Sequence, residues 1–182
     1  SRTLTLDVFG RPVSLQASGG LATTTSYDSR GRPLAITTGS GPAARTMSFT
    51  YDAQGLPETF TDQLDRVVTM ERDALGRMVR KELPDGDAIE FGYNAAGDLV
   101  SITPPGRPAH TFAYDDLGRL AAITPPALAG TGPTTFTYDD DRALLAVEPP
   151  GESISFTYDA AGRVSTMALD VLSGPHGDYL FT

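Results

Sequence analysis

One short phrase recurs along this chain, and its spacing restricts the fold more than any other feature. An aromatic residue is followed by Asp, two variable residues, Gly and Arg, most clearly at residues 158–163. Successive copies start 21, 24, 21, 21, 21, 24 and 20 residues apart. A period of about 20 residues is too short for paired helices and fits two short strands with two turns. The eight copies are residues 6–11, 27–32, 51–56, 72–77, 93–98, 114–119, 138–143 and 158–163.

The Asp and the Gly of the phrase predict a tight turn. An Asp at the first turn position can accept a hydrogen bond from the N–H two residues on, and a Gly three places later can take positive φ at no steric cost. Together they describe a type I turn closed by a left-handed glycine bulge, a common hairpin connection. The positions predicted to form the structural repeat are Tyr27, Asp28, Gly31, Tyr51, Asp52, Gly55, Asp73, Gly76, Tyr93, Asn94, Gly97, Tyr114, Asp115, Gly118, Tyr138, Asp139, Tyr158, Asp159 and Gly162.

The residues on either side of the turn predict two strands. Phe112 and Tyr114 share one face, because the side chains of a strand alternate. Residues 120–124 have the composition of the returning strand, in which Leu120 and Ile123 fall on opposite faces if the strand is regular. Either both faces carry apolar side chains or a bulge lies between these residues, and the sequence leaves both alternatives open.

A second, variable turn joins each hairpin to the next. Pro and Gly dominate it, and both favour chain reversal. It occurs as Pro84-Asp85-Gly86, Pro104-Pro105-Gly106, Pro149-Pro150-Gly151 and the longer stretch 125–133. The pattern predicts an all-β fold in which tandem β-hairpins form one long, twisted antiparallel sheet. Residues 1–182 are expected to be a single array of about eight repeats.

Two copies depart most clearly from the pattern. In the copy at 72–77, Arg72 replaces the aromatic residue, and Lys81 takes an apolar position. This charged unit is either a more solvated strand pair or a contact site for another part of a larger protein. In the copy at 138–143, Arg142 replaces the glycine. Because a left-handed Arg costs about 1–2 kcal/mol, we expect a different turn there.

Composition argues against several classes of function. The chain has 14 Lys and Arg against 23 Asp and Glu, a net charge of −9, and its arginines are spread along the repeats, which is a poor footprint for nucleic acid. There is no Cys, so there is no disulfide framework. No apolar run approaches the roughly 20 residues that a membrane helix needs.

The sequence offers no catalytic, cofactor or metal motif. His110 adjoins a predicted strand and His176 lies in a Gly/Pro-rich stretch, with no nucleophile elbow, zinc-protease motif or phosphate loop. The acidic run at residues 139–141 lacks the alternating spacing and the glycine of a calcium loop. We therefore expect a protein that is not an enzyme and that has no cofactor or metal site.

The tyrosine column has two interpretations. In the first it is structural, since aromatic cross-strand pairs stabilise sheets by about 0.2–1 kcal/mol each and a hydroxyl can find a partner at the strand end. In the second it forms a surface that holds carbohydrate or an unfolded cargo. The arginine column is expected to pair with the turn aspartates or to stack on aromatic rings of neighbouring repeats. Its members are Arg11, Arg32, Arg77, Arg119 and Arg163.

The phrase resembles that of the YD-repeat family, also called the RHS-repeat family. The family pattern, Tyr-Asp-x-x-Gly-Arg-Leu, matches residues 114–120 throughout, and tandem copies extend the resemblance over essentially the whole chain. Members include bacterial RHS polymorphic toxins, the C components of insecticidal toxin complexes, wall-associated bacterial proteins and teneurins. The resemblance implies a β-hairpin array that spirals into a hollow shell. In the toxins this shell encloses a C-terminal toxic domain.

The resemblance also implies a function. We expect a structural segment of a shell that, in the parent protein, encapsulates or presents a C-terminal toxin or effector; the alternative is a cell-surface adhesion or carbohydrate-binding module. The sequence lacks the Asp-Pro-x-Gly core of the family's self-cleaving site and stops one residue before another Tyr-Asp is due, so we expect a piece of a longer array. We also expect the parent protein to be bacterial and to be secreted or exposed at the surface. The expected partners are further repeats or an enclosed toxin, and the segment is expected to self-associate through edge strands.

Overall fold

The structure is a computed structural model that describes residues 2–126 and 132–171. In these ranges the regular elements are sixteen β-strands and one 3-10 turn, Gly41–Ala43. The described residues include no helix that could cross a membrane. The chain divides into two units, residues 1–89 and 90–182, and in each the strands lie in chain order. The pairs among the first eight strands and those from the ninth strand onward are all antiparallel, which confirms the predicted all-β hairpin fold. Part of the predicted turn at 125–133, together with His176 and the other residues after 171, lies outside the described residues.

The first unit holds eight complete strands and the start of the ninth. Pro or an apolar residue opens most of the returning strands, and Tyr or its substitute closes the outgoing ones. The strands are β1 (Arg2–Leu6), β2 (Pro12–Ala17), β3 (Ala22–Tyr27), β4 (Pro33–Thr38), β5 (Arg45–Tyr51), β6 (Pro57–Thr61), β7 (Val67–Arg72) and β8 (Met78–Glu82).

The second unit follows the same alternation from the ninth strand onward. Its strands are rich in β-branched and aromatic residues, which suit a pleated, half-buried surface. They are β9 (Ala88–Tyr93, whose first two residues belong to the first unit), β10 (Leu99–Thr103), β11 (His110–Tyr114), β12 (Leu120–Thr124), β13 (Thr134–Tyr138), β14 (Leu144–Glu148), β15 (Glu152–Tyr158) and β16 (Val164–Val171).

Each hairpin that turns on the phrase contains a β-bulge just after the turn. In the β11–β12 pair, Tyr114 faces Leu120 and Phe112 faces Ile123, so the returning strand has one residue more than its partner. The same register shift occurs in all eight such hairpins of the described ranges. The extra residue places Leu120 and Ile123 on the face of the two aromatic rings. Of the two alternatives left open by the sequence, the bulge is therefore correct.

The two faces of the sheet differ in chemistry. In β11, Phe112 and Tyr114 are half-buried while Thr111 is exposed. On the opposite face, threonine hydroxyls of paired strands bond to each other, as at Thr50 and Thr59, whose Oγ1 atoms are 2.8 Å apart. Throughout residues 2–126 and 132–171 no side chain is fully buried. Each repeat therefore depends on its neighbours in the sheet for apolar contact.

Candidate functional site

The aspartate of a regular phrase closes its own turn. In the copy at 27–32, the N–H of Asp28 donates to the carbonyl of Arg32 (2.9 Å), and the N–H of Gly31 donates to the carbonyl of Asp28 (3.0 Å). The Asp28 carboxylate accepts the N–H groups of Arg30 (2.8 Å) and Arg32 (2.9 Å). Gly31 has a φ of 82°, which confirms the predicted left-handed glycine. The same pattern occurs at Asp7, Asp73, Asp115 and Asp159.

The second carboxylate oxygen holds the arginine of the same phrase. Oδ2 of Asp28 lies 2.7 Å from Nε and 2.6 Å from Nη2 of Arg32, so two guanidinium nitrogens contact one carboxylate oxygen and the plane of the guanidinium is fixed. This confirms that the arginines pair with turn aspartates. Equivalent pairs join Asp7 to Arg11, Asp73 to Arg77, Asp115 to Arg119 and Asp159 to Arg163.

These contacts lower the pKa of Asp28 and of its four equivalents, Asp7, Asp73, Asp115 and Asp159, below the ordinary value. At Asp28 the N–H of Arg32 is the main cause and the Arg32 guanidinium adds to it, while desolvation opposes both. Asp7, Asp115 and Asp159 share this main cause, whereas at Asp73 the arginine side chain lowers the pKa most. A carboxylate that accepts several hydrogen bonds is favoured in its charged form. Such a group is held ionised in the turn and is a poor general acid.

In five copies the tyrosine reaches back to the copy before it. Its hydroxyl donates to the carbonyl of the residue that follows the arginine position of the preceding phrase. In the first unit Tyr27 donates to Pro12 (2.8 Å) and Tyr51 to Pro33 (2.7 Å). In the second, Tyr114, Tyr138 and Tyr158 donate to Leu99 (2.9 Å), Leu120 (2.9 Å) and Leu144 (2.8 Å). These bonds confirm the expectation that the hydroxyl finds a partner at a strand end.

The tyrosine ring also covers the arginine of the preceding copy. The guanidinium carbon lies 4.6 Å from the ring centroid for Arg11 and Tyr27, 4.1 Å for Arg32 and Tyr51, and 4.8 Å for Arg119 and Tyr138. Such cation–π contacts contribute about 0.5–1 kcal/mol at exposed sites and more when desolvated. We call the Asp–Arg pair, the ring above it and the hydroxyl bond the repeat ladder.

Exposure shows what the ladder covers. The side chains of Arg11, Arg32 and Arg119 are 28%, 26% and 21% exposed. Arg163 and Arg66, on which no tyrosine stacks among the described residues, are 79% and 61% exposed. The ring of the next copy therefore accounts for much of the difference in solvent access.

Two turn glycines also make room for the arginine of the preceding copy. A Cβ added to Gly55 would lie 2.9 Å from Nη1 of Arg32, and one added to Gly31 would lie 3.2 Å from Nη1 of Arg11. At Gly118, by contrast, a Cβ would meet nothing within 4 Å. The turn glycines thus share a conformational reason, and some have a steric reason as well, where a side chain of the preceding copy passes beneath them; at Gly76 that side chain is Leu56, whose Cδ1 would lie 3.3 Å from an added Cβ.

At the copy at 72–77, the arginine of the repeat ladder comes from the position that tyrosine occupies in most other copies. The preceding phrase has Leu56 where most copies have Arg, and Arg72 stands where most have Tyr. Nη1 of Arg72 donates to the carbonyl of Pro57, the position that tyrosine hydroxyls reach elsewhere, and lies 3.9 Å from Oδ2 of Asp52. Its side chain is only 13% exposed. Arg72 therefore supplies both the donor and the cation of this junction, a role outside the two interpretations drawn from the sequence.

Two other copies show how far the turn tolerates substitution. Arg142 adopts a φ of 70°, and its N–H donates to the carbonyl of Asp139 (3.2 Å), so the expectation of a different turn there is wrong. The Asp139 carboxylate still accepts the N–H of Ala143 (2.7 Å), and these bonds offset the left-handed strain. In the copy at 93–98, Asn94 replaces Asp and accepts the N–H of Asp98 at 2.9 Å.

One turn of this kind was missed from the sequence. This turn joins β6 to β7, at the opposite end of the strands from the phrase turns. There the N–H of Asp62 donates to the carbonyl of Arg66 (2.9 Å), and Oδ2 of Asp62 lies 2.7 Å from Nε of Arg66. Asp65 takes the glycine place with a φ of 60°. The signal was the Asp-x-x-x-Arg spacing, which a search keyed on the aromatic residue and the glycine passes over. The Arg66 side chain also lowers the pKa of Asp62.

No group of three or more His, Asp or Glu in residues 2–126 and 132–171 is arranged to hold a metal ion. His110 is half-buried at the start of β11. The chemistry of the site is mutual recognition: carboxylates, guanidinium groups and phenols bind one another and the backbone of adjacent repeats.

A family model described as Teneurin YD-shell matches residues 3–172. The structure is similar to a solved Tc holotoxin pore of Photorhabdus luminescens that carries a TccC3 mutation, with 19% identity and a TM-score of 0.71 over 92% of this chain and 10% of that one. It is also similar to a TcdB2–TccC3 crystal structure, with 14% identity and a TM-score of 0.55 over 93% of this chain and 12% of that one. No curated protein sequence matches the chain.

A third similar structure is described as TcdB2–TccC3–Cdc42, with 13% identity and a TM-score of 0.54 over 93% of this chain and 11% of that one. At these identities the likeness shows the fold. The chain spans about a tenth of the length of the solved chains that it matches.

Proposed function

The chain belongs to the Teneurin YD-shell family, and from that premise we propose that it is a structural segment of a shell wall. In the parent protein the wall encapsulates or presents a C-terminal toxin or effector. One observation carries the proposal. The side chains that recur most regularly bind their own turn or the adjacent repeat, which is the chemistry of a wall and not of a reaction centre.

The tyrosine column supports a structural role for the repeat residues. Five hydroxyl groups among the described residues already donate to backbone carbonyls at 2.7–2.9 Å. A phenol has a single O–H, so a hydroxyl bonded in this way has no proton left for a sugar or a substrate. The repeat residues are therefore assigned to holding the array together, with no catalytic part.

The faces of the sheet support enclosure of a cargo. One face carries half-buried Phe, Tyr and Ile side chains, and the other carries exposed threonines. Binding of an apolar partner would remove the remaining exposed apolar surface of these side chains from water, which is energetically favourable. A partly unfolded polypeptide on that face would gain such contacts without a shape-specific pocket.

The parent protein supplies the rest of the proposal. One similar solved structure is described as a Tc holotoxin pore, and another as TcdB2–TccC3 without a hypervariable C-terminal region. By this likeness the parent is a secreted or surface-exposed bacterial protein. The partners of the segment are the remaining repeats and an enclosed toxin domain.

Limited proteolysis of the complete parent protein tests the proposal. We expect the region after the array to resist protease in the intact protein and to be digested quickly when expressed alone. Equal digestion rates for the attached and the isolated region would contradict encapsulation. Specific binding of the segment to a glycan array would favour the surface-binding module instead.

A further inference from the structure

Two arginines of the copy at 27–32 converge on the turn glycine of the next copy. A Cβ added to Gly55 would lie 2.9 Å from Nη1 of Arg32 and 3.6 Å from Nη1 of Arg30, so both guanidinium groups border the space that this glycine leaves open. At Gly31, one copy earlier, an added Cβ would meet only Arg11. Of the eight phrases, only the copy at 27–32 has Arg immediately before its turn glycine. The convergence of two guanidinium groups therefore follows from Arg30.

One of these two nitrogens is a buried donor without an acceptor. Nε and Nη2 of Arg32 contact Asp28, and the guanidinium lies 4.1 Å from the ring of Tyr51. Nη1 of Arg32 is buried and has no hydrogen-bond acceptor among the described residues. At the corresponding junction of the second unit, Nη1 of Arg119 donates to the carbonyl of Asp139 at 2.9 Å. Because an unpaired buried donor is costly, such groups are usually satisfied by a partner.

The charge around this nitrogen is positive. Oδ2 of Asp28 lies 2.6 Å from Nη2 of Arg32, so this carboxylate is already paired. The Asp52 carboxylate lies 3.9 Å from Nη1 of Arg72, on the side of the following copy. Arg30 is exposed, and within residues 2–126 and 132–171 no carboxylate forms an ion pair with it. Two guanidinium groups that share one carboxylate attract a further anion between them.

We propose that the crevice over Gly55 is a binding site for a phosphate or sulfate group, held by Nη1 of Arg32 and by the guanidinium of Arg30. A guanidinium presents several N–H donors in one plane and forms charge-assisted hydrogen bonds with such oxyanions. A doubly charged anion is favoured over a carboxylate, because the Coulomb attraction increases with the charge. Access requires only that the exposed Arg30 side chain rotates, which is a fast motion. The site goes beyond the proposed shell role, which makes no use of it.

An NMR titration of the full chain tests the site. The probes are inorganic phosphate and inorganic sulfate, with the ionic strength held constant by sodium chloride so that general screening does not change. We expect saturable shifts of the backbone amide signals of Arg30, Arg32 and Gly55, from which a dissociation constant is obtained. Acetate is the singly charged control and should bind more weakly. A preference for phosphate or for sulfate would identify the group that the site takes.

Three variants separate a built site from general attraction to positive charge. Arg30→Gln should weaken the binding of both anions about tenfold, since it removes a charge-assisted contact. Arg107→Gln removes the same charge from an exposed arginine of the second unit and should leave the dissociation constants unchanged. Arg30→Lys keeps the charge but loses the planar fork, so its affinity should lie between those of the wild type and Arg30→Gln.

Three results would overturn the inference. The first is the absence of saturable shifts at Gly55, and the second is an equal loss of affinity in Arg30→Gln and Arg107→Gln. The third is binding of acetate as tight as that of phosphate and sulfate. None of these results would alter the protease protection expected for the parent protein, so the two proposals fail separately.

Discussion

Replacing two turn glycines by alanine separates the conformational role of the position from its steric role. Gly118 has a φ of 73°, and a Cβ there would meet nothing within 4 Å. Gly55 has a φ of 91°, and a Cβ there would lie 2.9 Å from Nη1 of Arg32. Alanine at either position is left-handed, but only at Gly55 must a neighbouring side chain move.

The magnitudes follow from these distances. Left-handed strain costs about 1–2 kcal/mol for a residue with a Cβ, and this is the whole expected loss for Gly118→Ala. Gly55→Ala should add about 0.5–1 kcal/mol, because the guanidinium of Arg32 must leave its place 4.1 Å from the ring of Tyr51. The expected total for Gly55→Ala is therefore about 1.5–3 kcal/mol.

Chemical denaturation monitored by circular dichroism gives the free energies of unfolding. The decisive measurement repeats Gly55→Ala in an Arg32→Ala background, where the Arg32 guanidinium no longer crowds the new methyl group. There the cost of Gly55→Ala should fall to that of Gly118→Ala. An unchanged cost in that background would refute the steric part of the argument, and a negligible cost for Gly118→Ala would refute the turn assignment itself.

Three further predictions concern the carboxylates, the exchanged junction and the hydroxyl bonds. Because folding lowers the pKa of Asp28 and its equivalents, the unfolded state binds more protons in acid, so stability should fall as the pH drops below about 3.9 and on through the lowered native pKa values. Asp28→Asn keeps the acceptor but cannot titrate, so its melting temperature should depend less on pH in that window. In a double-mutant cycle, Leu56→Arg and Arg72→Tyr should each destabilise alone and couple favourably by about 1 kcal/mol together, and additive free energies of unfolding would contradict the exchange. Tyr158→Phe should cost about 0.5–1.5 kcal/mol in urea denaturation, since the carbonyl of Leu144 loses its donor; no loss would mean that this bond does not stabilise the repeat.

The turns could be predicted because their bonds lie within five residues. Asp28, Gly31 and Arg32 supply hydrogen-bond donors, hydrogen-bond acceptors and the left-handed position of one turn. The same spacing predicts the other regular copies. The bounds of β12, Leu120–Thr124, likewise follow from the turn before it. Local spacing fails where another residue fills the special position, as Asp65 and Arg142 do, because bonds to the turn aspartate offset their strain.

The types of contact between repeats could be predicted from the sequence, but the residues that pair in each contact could not. The sequence suggests that an arginine stacks on a neighbouring aromatic ring and that a tyrosine hydroxyl finds a strand end. That Tyr138 covers Arg119 and donates to Leu120 depends on the strand register, which the bulges set. The role of Arg72 was hidden for the same reason, since its partners lie 15 and 20 residues earlier in the chain.

A cryo-EM reconstruction of the complete parent protein tests the central claim most directly. The account predicts that residues 2–171 form part of the wall of a closed shell and that additional density fills the interior. An array that lies open in the parent, with no chain on its apolar face, would contradict it.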